Sequence, residues 1–96
     1  MTNEEFERLL EGKMLLAIRL SGIGCKLYMQ LLFAWHDMEY PDSFRMTDIK
    51  LMAATNIKSR SALRKAKKEL EQAGLISYTP SNTFGGTTYR IMDMKG

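Results

Sequence analysis

Apolar side chains recur at helical spacing from the first turn of the chain. Phe6, Leu9, Leu10, Met14, Ala17 and Leu20 follow a Thr2-x-x-Glu5 capping box, which predicts a helix starting near Asn3. Gly12 costs that helix about 1 kcal/mol relative to alanine, so the element ends there or continues to about Leu20. Ser21-Gly22-Ile23-Gly24 is a break that can supply a cap. From Cys25 to Met38 the apolar positions Leu27, Leu31, Ala34 and Met38, flanked by Tyr28, Leu32 and Trp35, predict a second helix facing the core. Met29 and Phe33 fall outside that arc as a pair one turn apart. Either the N-terminal helix or a second subunit must cover them, which makes them a candidate interface and a homodimer one of the two outcomes.

Pro41-Asp42-Ser43 ends the second helix, and Phe44-Arg45-Met46 reads as a short extended segment. Thr47 caps a third helix to about Thr55, with Ile49, Met52 and Ala53 facing inward. Asn56 stands where the chain must turn sharply, and asparagine tolerates the left-handed conformation better than other non-glycine residues. Ile57 returns to the core. Ser59 or Ser61 then opens a fourth helix, in which Leu63, Ala66, Leu70 and Ala73 form one buried stripe and Gly74 ends the run. With Leu63 at the origin, Arg64, Lys68, Ser61, Gln72 and Lys65 lie at roughly 100° to 200°, opposite the stripe. Leu75 to Thr79 reads as a strand, Pro80 to Gly86 as a loop and Thr87 to Met92 as a returning strand.

The chain of 96 residues, 45% hydrophobic and 26% charged, fits one small domain with a single core and no room for a deep substrate cleft. One cysteine, Cys25, allows no internal disulfide. With the one histidine, His36, it falls short of a structural zinc site, so no metal or cofactor is expected. No paired carboxylates, phosphate-binding loop or nucleophile with its base stands out, and an enzyme is not expected. The longest apolar runs, Met14 to Ile18 and Leu31 to Trp35, are five residues each, against the ~20 that span a bilayer. The first residues, Thr2 to Glu11, are acidic, the reverse of a secretion signal, so a cytoplasmic location is expected.

The net charge of +3 hides a polarity. Glu4, Glu5, Glu7 and Glu11 outweigh Arg8 at the start of the chain. Lys58, Arg60, Arg64, Lys65, Lys67 and Lys68 put six cations into eleven residues without an acid among them.

Helix, short strand, helix, sharp turn, basic helix, glycine and hairpin is the order of a winged helix-turn-helix, and Met46 to Met92 resembles one. The likeness is carried by Leu51-Met52-Ala53-Ala54-Thr55-Asn56-Ile57, Ser59-Arg60-Ser61-Ala62-Leu63, Ala66-Lys67-Lys68-Glu69-Leu70 and Gly74-Leu75-Ile76-Ser77-Tyr78. More narrowly, Lys26-Leu27-Tyr28, Lys58-Ser59-Arg60-Ser61 and Ala66-Lys67-Lys68 are similar to N-terminal domains of replication-initiation and DnaD-type primosome proteins of low-GC bacteria, their phages and mobile elements. Asn56 replaces the glycine usual in that turn, and the hairpin tip has no arginine or lysine. The expected fold class is mainly α with a small β-hairpin wing (α+β): an N-terminal helical extension over 1–20 and a winged helix-turn-helix over 21–96.

The resemblance implies a noncatalytic protein that binds double-stranded DNA, with the helix over about 59–73 in the major groove. It would act in replication initiation or in transcriptional control of a phage or mobile element. Ser59, Arg60, Ser61, Arg64 and Lys65 would meet base edges. Arg60 and Arg64 are the sequence-reading candidates because a guanidinium can bond guanine O6 and N7 together. Lys68 would reach a phosphate, and Lys58, Lys67 and Lys50 would extend cations to the backbone. Four to six such contacts predict a slope of log K against log[salt] of about −4 to −5. At the hairpin tip, Asn82 and Phe84 are candidate wing contacts, Phe84 either as a wedge or stacking platform or folded back on the hairpin. Tyr28, Trp35, Tyr78 and Tyr89 point inward. Two alternatives stay open. One is an assembly module that binds a replication-protein partner through Met29, Phe33 and the acidic N-terminal helix. The other is single-stranded DNA binding.

Overall fold

The computed structural model describes residues 1–17, 19–81 and 86–92, with the side chains of 16 and 17 left aside. These form four helices and one antiparallel sheet in the order α1 (Asn3–Ala17), α2 (Gly22–Asp37), β1 (Phe44–Thr47), α3 (Asp48–Thr55), α4 (Arg60–Gln72), β2 (Ile76–Pro80) and β3 (Gly86–Ile91). The class is therefore mainly helical α+β. No described helix is long and apolar enough to cross a membrane.

Local chemistry starts each helix where the sequence reading placed it or close by. Glu5 N–H donates to Thr2 Oγ1 at 3.1 Å and Thr2 N–H to Glu5 Oε1 at 3.3 Å, the reciprocal box that opens α1. The helix then runs through Gly12 to Ala17. Phe6, only 5% exposed, stacks on His36 at 4.0 Å and tilts against Phe33 at 6.4 Å. The N-terminal helix thus supplies the cover for Phe33 in part, leaving it 39% exposed, and Met29 is half-buried.

α2 begins three residues earlier than expected because Ser21 caps it, its Oγ accepting from Gly24 N–H at 3.0 Å. It stops at Asp37, ahead of Pro41, so that Met38, expected on the core-facing side, is the C-cap and exposed. Glu39 and Tyr40 take positive φ of 62° and 61°. The Tyr40 position is held by its hydrogen bond to His36 Nδ1 at 2.7 Å and its edge contact with Trp35.

In α3 the cap is Thr47, whose Oγ1 accepts from Lys50 N–H at 3.2 Å, and Asn56 ends the helix at φ 60°, ψ 27°. Its inward face differs from the expected one. Leu51 and Thr55 are buried and Met52 half-buried, whereas Ile49 is 69% exposed and Ala53 is exposed. Thr55 can be buried because its hydroxyl donates to Leu51 C=O at 2.6 Å, satisfying the polar group within the helix. Gly74, at φ 76°, turns the chain out of α4 towards β2, a conformation open to glycine without steric cost.

The sheet order is β1-β3-β2, so the last strand lies between the other two. The register places Tyr89 between Phe44 and Tyr78. Tyr89 and Tyr28 are fully buried among leucines of α2, α3 and α4, and among the described residues neither hydroxyl has a hydrogen-bond partner within 3.5 Å. Burial holds both phenols well above their ordinary pKa of about 10.

Candidate nucleic-acid interface

Ser59 is the residue that opens α4, its Oγ accepting from Ala62 N–H at 3.1 Å. From that start the helical period turns Leu63, Ala66 and Leu70 into the core and leaves Arg60, Ser61, Arg64, Lys65 and Lys68 exposed. Lys58, just before the cap, and Lys50, on α3, are exposed as well. Among the described residues, none of these cations forms an ion pair with a carboxylate. A helical face of unneutralised guanidinium and ammonium groups produces a positive potential beyond the surface, suited to a polyanion.

Lys67 does not belong to this face, and its expected role as a backbone contact is corrected. Its side chain is 8% exposed and its Nζ donates to Asp48 Oδ1 at 2.7 Å and to Thr87 Oγ1 at 3.0 Å. The ammonium also lies 5.5 Å from the centre of the Tyr89 ring and 5.9 Å from that of Tyr78. Removing an ammonium from water is costly, and here a charge-assisted bond, a hydroxyl and two ring faces offset that cost. The result joins α3, α4 and β3 at one atom.

A second contact invisible to local patterns fixes α4 against α2. Glu69 accepts from Ser21 N–H at 2.9 Å and from Ser21 Oγ at 2.7 Å, placing a carboxylate at the positive end of α2. It passes directly over Gly24, where any β-carbon would collide with the carboxylate. Thus anchored, Glu69 forms no ion pair with Lys65 or Lys68. An acid sits inside the basic helix without neutralising its outer face.

Between α4 and the sheet lies a cleft of about 320 Å³ lined by residues that include Arg60, Arg64, Pro80, Ser81 and Thr87. Asn82 and Phe84 lie outside the described residues. Tyr28 and Tyr89 are inside, as expected, and Trp35 and Tyr78 are half-buried. Trp35 Nε1–H donates to Pro41 C=O at 3.1 Å. Comparison with protein-family models, with characterised proteins and with solved structures gives no match for this chain.

Proposed function

We propose that the chain is a winged helix-turn-helix protein that binds double-stranded DNA without catalysis, inserting the N-terminal half of α4 into the major groove. In this reading α3 and α4 are the two helices of the motif, Asn56 makes the turn and β2 with β3 forms the wing. Arg60 and Arg64 read bases, Ser59 and Ser61 meet a base or a phosphate, and Lys65 and Lys68 hold the backbone with Lys50 and Lys58. The protein acts in the cytoplasm, in replication initiation or transcriptional control of a phage or mobile element.

The observation that carries the reading is the outer face of α4, cationic and exposed, on a helix anchored by Leu63, Lys67 and Leu70 on its inner side and by Glu69 at the edge of the cationic face. A rigid mounting matters because base readout demands side chains held in register with the groove. The test is fluorescence anisotropy with random duplex, random single strand and neighbouring genomic DNA at two salt concentrations. Duplex should bind more tightly than single strand and weaken at the higher salt. Equal or tighter binding of single strand would favour the single-strand alternative, and no binding to any nucleic acid would favour a role in protein assembly.

A further inference from the structure

Two exposed apolar side chains stand beside charges of opposite sign at separate places on the surface. On α1, Leu15 is 71% exposed. Glu4, Arg8 and Glu11 lie within roughly 40° of it around the helix, on the side turned away from Phe6. Glu4 is engaged with Arg8 at 3.7 Å, whereas Glu11 has no ion pair among the described residues. At the start of α2, Ile23 is 43% exposed. It borders a groove of about 490 Å³ with Ala62 and Ala66 in its lining and Lys65 and Lys68 among its charged residues. The carboxylate that also borders this groove, Glu69, is held by Ser21.

We propose that this groove receives α1 of a second copy of the chain. Leu15 of one copy seats against Ile23, Ala62 and Ala66 of the next, and Glu11 meets Lys65 and Lys68, so that this assembly and DNA binding compete for the two lysines. The argument rests on complementarity in both charge and spacing. Leu15 and Glu11 are one helical turn apart, about 6 Å, and so are Ala62 and Ala66, with both lysines in the groove lining on one side of them. An acidic amphipathic helix laid in an apolar groove with a basic rim is a recurrent mode of recognition. Because the contact joins two different surfaces, each copy keeps one free face, and assembly proceeds head to tail instead of closing as a symmetric pair.

Sedimentation of the full chain tests this with two variants, Leu15→Glu and Ile23→Glu, each altering one exposed residue. The wild type should exceed its monomer mass of 11.0 kDa increasingly with concentration at low salt and return towards it as salt is raised. Each variant alone should remain monomeric. An equal mixture should form a single species of twice the monomer mass, because each variant retains the face the other has lost. That recovery also shows both variants to be folded. A wild type that stays monomeric at every concentration, or association that survives either substitution, overturns the proposal. So does a mixture that remains monomeric, which would assign any wild-type association to a symmetric contact.

Discussion

The two faces of α4 carry the same kind of side chain to opposite ends. Lys67 and Lys68 are neighbours in sequence, yet Lys67 is buried against Asp48, Thr87 and two tyrosine rings while Lys68 is exposed. One cation contributes to the fold; the other is available to a partner. Six positive charges in a short stretch are therefore not six contacts for an anion, and the geometry of the helix decides which are which.

The difference should be plainest on removal of Lys67. Lys67→Met leaves the partly buried Asp48 without its counter-ion at the start of α3 and should cost about 3 kcal/mol, read as a lowered denaturant midpoint. Adding Asp48→Leu should recover much of that loss, since an apolar pair no longer strands a charge. Loss below about 0.5 kcal/mol in the single variant would show that the cluster does not hold the elements together.

The buried side can also be probed by pH alone. Tyr28 and Tyr89 keep their protons more tightly in the folded chain than in the unfolded one, where phenols ionise near 10. Their contribution is complete below about pH 10 and is lost as pH rises beyond it, at about 1.4 kcal/mol per pH unit for each group. Thermal melts should fall steeply between pH 10 and 11. A flat profile there would place the two rings in contact with water.

A buried polar group without a partner should behave in the opposite way to Lys67. Tyr28→Phe removes a hydroxyl that has no hydrogen bond among the described residues and should leave stability unchanged or raise it by up to about 1 kcal/mol. Destabilisation would reveal a partner for that oxygen. On the outer face of α4 the effect on folding should be smallest, with Lys68→Ala within about 0.5 kcal/mol of wild type.

Where structure follows from neighbours in the chain, the sequence is a good guide. The Thr2–Glu5 box, the Thr47 and Ser59 caps, the left-handed Asn56 and Gly74 and the buried stripe of Leu63, Ala66 and Leu70 all follow from side chains within a few residues of one another, whereas Ala73, expected in that stripe, is the exposed C-cap. The phase of α3 escaped because Thr55 reads as polar until its hydroxyl is seen bonded to Leu51 C=O. Lys67 lies only about 40° from Leu63 on the helix, a position that already favours burial. Its acceptors, however, are 19 residues before it and 20 after it, and no local pattern links them. The Glu69–Ser21 contact spans 48 residues and is equally silent in the sequence.

The exposed face is tested most directly by the salt dependence of duplex-DNA binding, compared between the wild type and the triple variant Arg64→Ala, Lys65→Ala, Lys68→Ala. With Lys67 withdrawn, the backbone contacts of Lys50, Lys58, Lys65 and Lys68 predict a wild-type slope of log K against log[salt] of about −4, and the loss of Lys65 and Lys68 should flatten it by about 2. Equal slopes for the two proteins, with binding intact, would contradict the assignment of this face of α4 to DNA.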